Sequence, residues 1–374
     1  MKKLSWLSFF LMTAVLAGPV LQMNKAFEAL VDLIPYLHDE PAFRLKENKA
    51  QIEKSIKDLD RAFTEAGHSS ILKEDLFAPS YEVIRETVGQ SLKAFQEGQT
   101  DYAHWRLHEI TNQCMDCHTR LPPSYVSSFQ NGELSIDPSR LKDPFDMGVA
   151  QLIVRRYVDA KGSFIRSIQD RLIKNDQRDI MLPFKQILLI GTKVQKDPEN
   201  LTAFFTDYRK NEKLNPAMKE RLSVWIKDLE SWKKDPVLKN GLRTDREAEF
   251  FIHQRMRPLL KAELFDGKHD VDLLLGSGIL SNYFFENPSS KLAARLSFWL
   301  GWTEIYLKRE SFFGSGDLFL KQCVRRYPKD PVARQCFATY KENLEFEFSG
   351  SGGIDIPAEL KNELKALEGL LQKK

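Results

Sequence analysis

An all-α fold follows from three features of the 374-residue chain. Apolar residues recur at spacings of three and four through most of it, the period of a helix with one buried face. Strict apolar–polar alternation, the mark of a half-buried strand, is almost absent. Pro, Gly and Asp interrupt the apolar stripes at intervals that suit helices of ordinary length. Hydrophobic residues make up 42% of the chain, enough for a real core, and the length allows two or more domains.

The N-terminus stands apart. Met1-Lys2-Lys3 precedes an uncharged apolar run from Leu4 to Ala17, and Val15-Leu16-Ala17 offers compact residues before Gly18. This is the pattern of a cleavable secretory signal peptide over residues 1–17. The run is short for a spanning helix, so no membrane span is expected in the mature chain. No Cys follows it to carry a lipid.

Residues 18–122 then carry four helical stripes. Met23, Phe27, Leu30, Ile34 and Leu37 form the first, with Pro35 near its end. Ile52, Ile56, Leu59 and Phe63 mark a second over about 43–66, and Gly67 is its stop. Val83, Ile84, Val88, Leu92 and Phe95 mark a third over 80–96, which Gly98 ends. Thr100 or Asp101 caps a fourth that runs to Arg120 with Trp105, Leu107, Ile110 and Cys114 along it. Pro122-Pro123 terminates it.

Near the end of that fourth helix the chain reads Cys114-Met115-Asp116-Cys117-His118. Cys-x-x-Cys-His is the attachment motif of a covalent c-type haem. Two thiols three residues apart project from the same side of a helix, placed for thioethers to the two vinyl groups. His118 is placed to bind the iron axially. Zinc wants four ligands, and no second Cys pair or His pair lies at zinc-finger spacing. A redox dithiol is expected after a strand of a βαβ unit, whereas these flanks are helical. The motif and the two-lysine leader together indicate a bacterial periplasm.

Four helices with this motif near the end of the last resemble the class II c-type cytochromes, the cytochrome c-prime family, over about residues 22–122. The resemblance implies a four-helix bundle in which Cys114 and Cys117 hold one haem c and His118 is the proximal ligand. It also implies that the first helix faces the distal side of the iron. Met23 is then the candidate sixth ligand and His38 a second candidate; a five-coordinate iron with no protein distal ligand is also permitted by the resemblance. Two features depart from the family pattern. Leu121 and Pro122 stand where an aromatic and a basic residue are common, and about 250 residues follow the motif. Class I cytochromes, with Met147 or Met181 as ligand, are the competing fold, but neither Met has the expected Gly/Pro-rich loop around it.

Residues 123–144, rich in Pro, Ser, Asp and Asn, read as a linker. From 145 to 347 the helical period returns, with helices expected at 145–158, 163–174, 179–195, 199–209, 215–233, 244–260, 269–285, 289–308, 314–327 and 331–346. Pairs of this length suggest an α-solenoid. The stretch from Leu300 to Pro328 is similar to a tetratricopeptide repeat, although no clean period of 34 residues runs through the domain. Cys323 and Cys336 flank the break at Pro328 and Pro331, at similar heights on two antiparallel helices. In an oxidising compartment they are expected to form a disulfide. Residues 348–374 supply a Gly/Ser linker and a last amphipathic helix at 357–371, which caps the stack.

Charge is nearly balanced at +3, with Lys and Arg scattered among Glu and Asp. Nothing in it calls for nucleic acid or an anionic surface. No phosphate loop, His-Glu-x-x-His or Gly-x-Ser-x-Gly is present, so an electron carrier rather than an enzyme is expected, with peroxidase-type activity left open. The leading reading is a periplasmic mono-haem cytochrome whose C-terminal helical domain docks a redox partner protein. A haem-based sensor of a small gas, or a helical-repeat adaptor with structural haem, are the alternatives.

Overall fold

The computed structural model describes residues 23–67, 78–120, 136–137, 139–176, 179–263 and 267–372. The expected signal peptide, the loop carrying His68 and most of the expected linker lie outside these residues. The described chain is all-α; its only strands are β1 (Ser349–Gly350) and β2 (Gly353–Ile354), a two-residue antiparallel pair inside the Gly/Ser stretch. Among the described residues no helix is long and apolar enough to cross a membrane.

Two compact units divide the chain, the first holding residues 1–118 and 123–167, the second residues 119–122 and 168–374. The sequence suggests a boundary within 123–144, whereas the first unit runs on to Ser167. The reason is local. Phe145 packs its ring on Phe164 with centroids 5.6 Å apart. A Cβ on Gly148 would stand only 2.6 Å from the Phe164 ring, so only Gly leaves room for that ring against α6.

In the first unit, α1 covers residues 23–38. The short α2 (Glu40–Arg44) and a 3-10 turn lead into α3 (Lys49–Ala66), α4 (Ala78–Gln96) and α5 (Thr100–Arg120). Consecutive long helices run antiparallel. Lys25 on α1 pairs with Glu65 near the end of α3 at 3.1 Å. Gln96 on α4 reaches back to Glu53 at 3.2 Å, and Tyr81 Oη donates to Phe63 O at 2.6 Å. Arg106 on α5 donates to Gln90 on α4. Most stripe residues named from the sequence are buried, among them Leu30, Ile34 and Leu37; Ile52, Ile56, Leu59 and Phe63; Val88 and Phe95; Leu107 and Ile110; Trp105 is instead exposed, and Met23, Val83 and Leu92 are half-buried. Next come α6 (Pro144–Ile153), with Asp143 as N-cap and Pro at its first position, and α7 (Tyr157–Ile173).

The second unit continues with α8 (Met181–Leu189), a π-helical turn (Ile190–Val194), α9 (Pro198–Arg209), α10 (Pro216–Trp232), α11 (Pro236–Asn240) and α12 (Asp245–Phe251). A second π-turn (Ile252–Met256) and a 3-10 turn precede α13 (Asp270–Glu286), α14 (Ala293–Arg309), α15 (Gly316–Arg326), α16 (Pro331–Glu347) and α17 (Ala358–Gln372). Neighbours in sequence pack together along this series, α9 on α10, α13 on α14, α14 on α15 and α15 on α16. Asp197, Asn215, Asp235 and Asp330 cap their helices through side-chain oxygens, each followed by Pro. Cys323 on α15 and Cys336 on α16 are both fully buried, their sulfurs at a bonding distance of 2.08 Å. Trp225 and Trp232 are fully buried core residues whose indole N–H groups donate to Asp270 and Asp272 at 2.9 and 2.6 Å.

Candidate haem site

Cys114, Cys117 and His118 lie in the last two turns of α5. Helix from Thr100 to Arg120 means that no strand precedes the motif. Neither cysteine is in a disulfide, and both are half-buried. Burial, with Cys117 close by, pushes the Cys114 thiol up to about 12, so it is held protonated rather than poised as a thiolate. Among the described residues no group of three or more His, Cys, Asp or Glu gathers to hold a metal ion. A haem iron needs only one or two protein ligands, whereas a structural zinc needs four.

The ring of His118 is fixed by the chain that follows α5. Its Nδ1 hydrogen-bonds to the main-chain O of Ile153, the last residue of α6. A carbonyl only accepts, so Nδ1 carries the proton. Burial pushes the His118 pKa down to about 4; the charge of Arg155 lowers it further, and the Ile153 bond opposes both. The ring is therefore neutral at pH 7 with its lone pair on Nε2. That is the tautomer an iron ligand needs, and an Nδ1–H bonded to a carbonyl is the usual support of a ligating histidine.

The turn after α6 wraps the end of α5. Arg155 N donates to Leu152 O at 3.0 Å and Arg156 N to Gln151 O at 2.8 Å, the paired bonds of a helix-ending motif whose left-handed residue is ordinarily Gly. Here that residue is Arg155, with φ at 64°. Its Nε donates to Tyr157 Oη at 2.8 Å, and Tyr157 Oη donates to His118 O at 2.9 Å. Ile153, Arg155 and Tyr157 carry no sequence signal for this role. A main-chain oxygen is offered by any residue, and the 35-residue separation from His118 hides the pairing.

The other histidines separate cleanly. His38 Nδ1 sits 2.5 Å from Asp146 Oδ1, and its ring packs on Phe145 and His108. His104 Nε2 lies 3.0 Å from Leu37 O. His108 is pushed down to about 4 by burial, then by His38 and His104. This cluster belongs to the first half of α5, away from the motif. His269 pairs with Asp272 at 2.9 Å, and His253 is exposed.

Met23 stands at the opposite end of α1 from this cluster and is half-buried. The His104–Leu37 contact fixes the register of the antiparallel pair α1 and α5. Leu37 is as far along α1 from Met23 as His104 is along α5 from His118. At about 1.5 Å per residue the two ends come level. Asn24 Oδ1, beside Met23, and Thr111 Oγ1, one turn before Cys114, are buried atoms without a hydrogen-bond partner. Unsatisfied buried polar atoms mark a place that a bound group or water completes. Two cysteines outside any disulfide, a neutral imidazole with Nε2 available and these orphaned atoms fit a covalently attached haem.

In the second unit a groove of about 700 Å³ lies between α12 with its π and 3-10 turns, α14 and α16. Phe298 and Trp299 line it, with Arg257 and Arg295 among its polar residues. Comparison of the chain with family models, with curated proteins and with solved structures finds no match.

Proposed function

We propose that the chain is a periplasmic mono-haem c-type cytochrome that transfers electrons. On this reading its first unit is a four-helix haem bundle extended by α6 and α7, and its second unit is a helical, repeat-like docking domain. The single observation that carries the proposal is the His118–Ile153 hydrogen bond, because it sets the ligating tautomer next to two cysteines at attachment spacing that form no disulfide. Cys114 and Cys117 would hold the haem c, His118 would be the proximal ligand and Met23 the distal one. When bound, the haem supplies a one-electron ferric–ferrous couple.

The residues of the chain do the rest. Ile153 and Tyr157 hold the His118 ring and its main chain from moving. The level position of residue 23 supports a thioether ligand from α1, whereas His38 stands at the other end of that helix, beside Asp146 and His108. The groove lined by Phe298, Trp299 and Arg257 supports docking of a redox partner protein by the second unit. Targeting to the periplasm rests on the leader at residues 1–17. The test is an absorption spectrum of protein secreted together with haem-attachment machinery. Sharp c-type bands with a low-spin reduced form are expected. A high-spin form that shifts with carbon monoxide would favour gas binding, and no haem absorbance would overturn the reading.

A further inference from the structure

We propose that Arg155, tethered by Tyr157, is a positioning charge that raises the reduction potential of the haem; the inference rests on the haem reading above. Arg155 is only 3% exposed although it carries a full charge. Lys and Arg are seldom so buried unless the charge has work to do or a partner to meet. Its guanidinium donates to Tyr157 Oη, which donates to the carbonyl of His118, so two hydrogen bonds connect the charge to the proximal ligand. The guanidinium also lies 5.7 Å from the centre of the Tyr157 ring, a cation–π distance. The pair is thus held at one place relative to the motif.

The backbone at this position is unfavourable for a long side chain as well. Residue 155 occupies the left-handed position that ends α6, with φ at 64°. Gly takes this conformation without strain, whereas a long side chain does not. An arginine there sits against both local preference and burial. Lys196, His269 and Ser311 also take a left-handed φ, so it is the burial of the charge together with this backbone that sets Arg155 apart.

The electrostatic consequence follows from charge alone. Reduction adds one electron to the haem, delivered by the partner protein, and leaves Arg155 protonated throughout. Ferric haem carries one positive charge more than ferrous. A fixed guanidinium in a site of low dielectric repels the ferric state more, so it favours reduction. Removing the charge moves the midpoint to more negative potential; keeping it on a different cation does not.

The test is an anaerobic redox titration of full-length holoprotein, wild type against R155Q, R155K and Y157F, with haem content measured in each. At the wild-type midpoint, R155Q is expected to lower the ferrous-to-ferric ratio at least tenfold, about 59 mV for one electron. R155K, which keeps the charge and the same backbone strain, is expected to stay near wild type. Y157F frees the tether without removing the charge and should shift less than R155Q. Haem-loaded R155Q at the wild-type midpoint overturns the proposal. Should R155Q fail to fold, a negative shift in Y157F with R155K unchanged upholds the proposal, and both at the wild-type value overturn it. Wild-type protein that carries no haem removes the haem reading itself, a result separate from an unmoved potential.

Discussion

The imidazole of His118 on α5 donates its Nδ1 proton to the main-chain oxygen of Ile153 at the end of α6. A side chain near the end of α5 is therefore oriented by α6, a helix that follows it in the chain. The close backbone approach of Gly148 to Phe164 and the packing of Phe145 hold α6 against α7. The helix that presents the carbonyl is thus set by core packing.

Met23 is level with His118 across the antiparallel pair α1 and α5, an alignment fixed by the contact of His104 with Leu37. M23A is expected to convert a low-spin haem to a high-spin one while leaving covalent attachment intact. Absorption and electron paramagnetic resonance spectra read the change. An unchanged low-spin spectrum in M23A would remove Met23 as the distal ligand, and H38A would then be the variant to examine.

Cys323 and Cys336 close a short loop across the α15–α16 turn. Cross-linking a loop of about this size stabilises a protein by roughly 3 kcal/mol at 25 °C in the chain-entropy account. Urea unfolding of C323A/C336A, followed by tryptophan fluorescence, should show a loss of this order. Thiol labelling of the denatured, unreduced wild type should leave both residues unmodified; labelling of both would rule the bridge out.

Lys193 sits in the first π-turn and pairs with Glu304 on α14 at 2.7 Å, both side chains fully buried. Ser277 on α13 donates to the same carboxylate oxygen. Removing one member of a buried pair leaves an uncompensated charge, at a cost of about 3–5 kcal/mol. K193M should therefore destabilise the second unit by that amount, and K193M/E304L should recover most of it. Urea titrations decide this; a loss below about 1 kcal/mol in K193M would mean that the pair is not sequestered from water.

Asp270 has a carboxyl that burial pushes up to about 6, with Glu310 adding to the rise and Trp225 and Arg221 opposing it. The folded chain keeps this proton up to about pH 6, whereas the unfolded chain releases it near 4. Between those values the folded state binds more protons, so this group's contribution to stability falls as pH rises. Asp228 and Asp317 are raised to about 6 by burial as well and act in the same direction. Relative to D270N, wild-type protein should lose thermal stability from pH 4 to pH 6, read through Trp225, Trp232, Trp299 and Trp302. Parallel pH profiles for the two proteins would refute the assignment.

Most helices were legible because their signals are local. Asp or Asn followed by Pro announces the starts of α9, α10 and α16, and the apolar stripe of α3 is buried as its spacing predicts. Other features were hidden for physical reasons. The π-turns after α8 and α12 keep a helix-like side-chain pattern, so the stretches 179–195 and 244–260 read as single helices. The five-residue α2 and α11 are too short to show a period. At the candidate site the Cys-x-x-Cys-His string stands out in the sequence because it is defined by residue types and spacing. Its support does not, since Ile153 contributes only backbone and Arg155 occupies a position where Gly is the default.

Covalent attachment through Cys114 and Cys117 is the claim on which the functional account stands. Haem staining of a denaturing gel, run on secreted wild-type protein and on C114A/C117A, tests it most directly. The account predicts a haem-positive wild-type band and none for the double variant at equal protein loading. Equal staining of both, or a wild-type protein without haem, would contradict it.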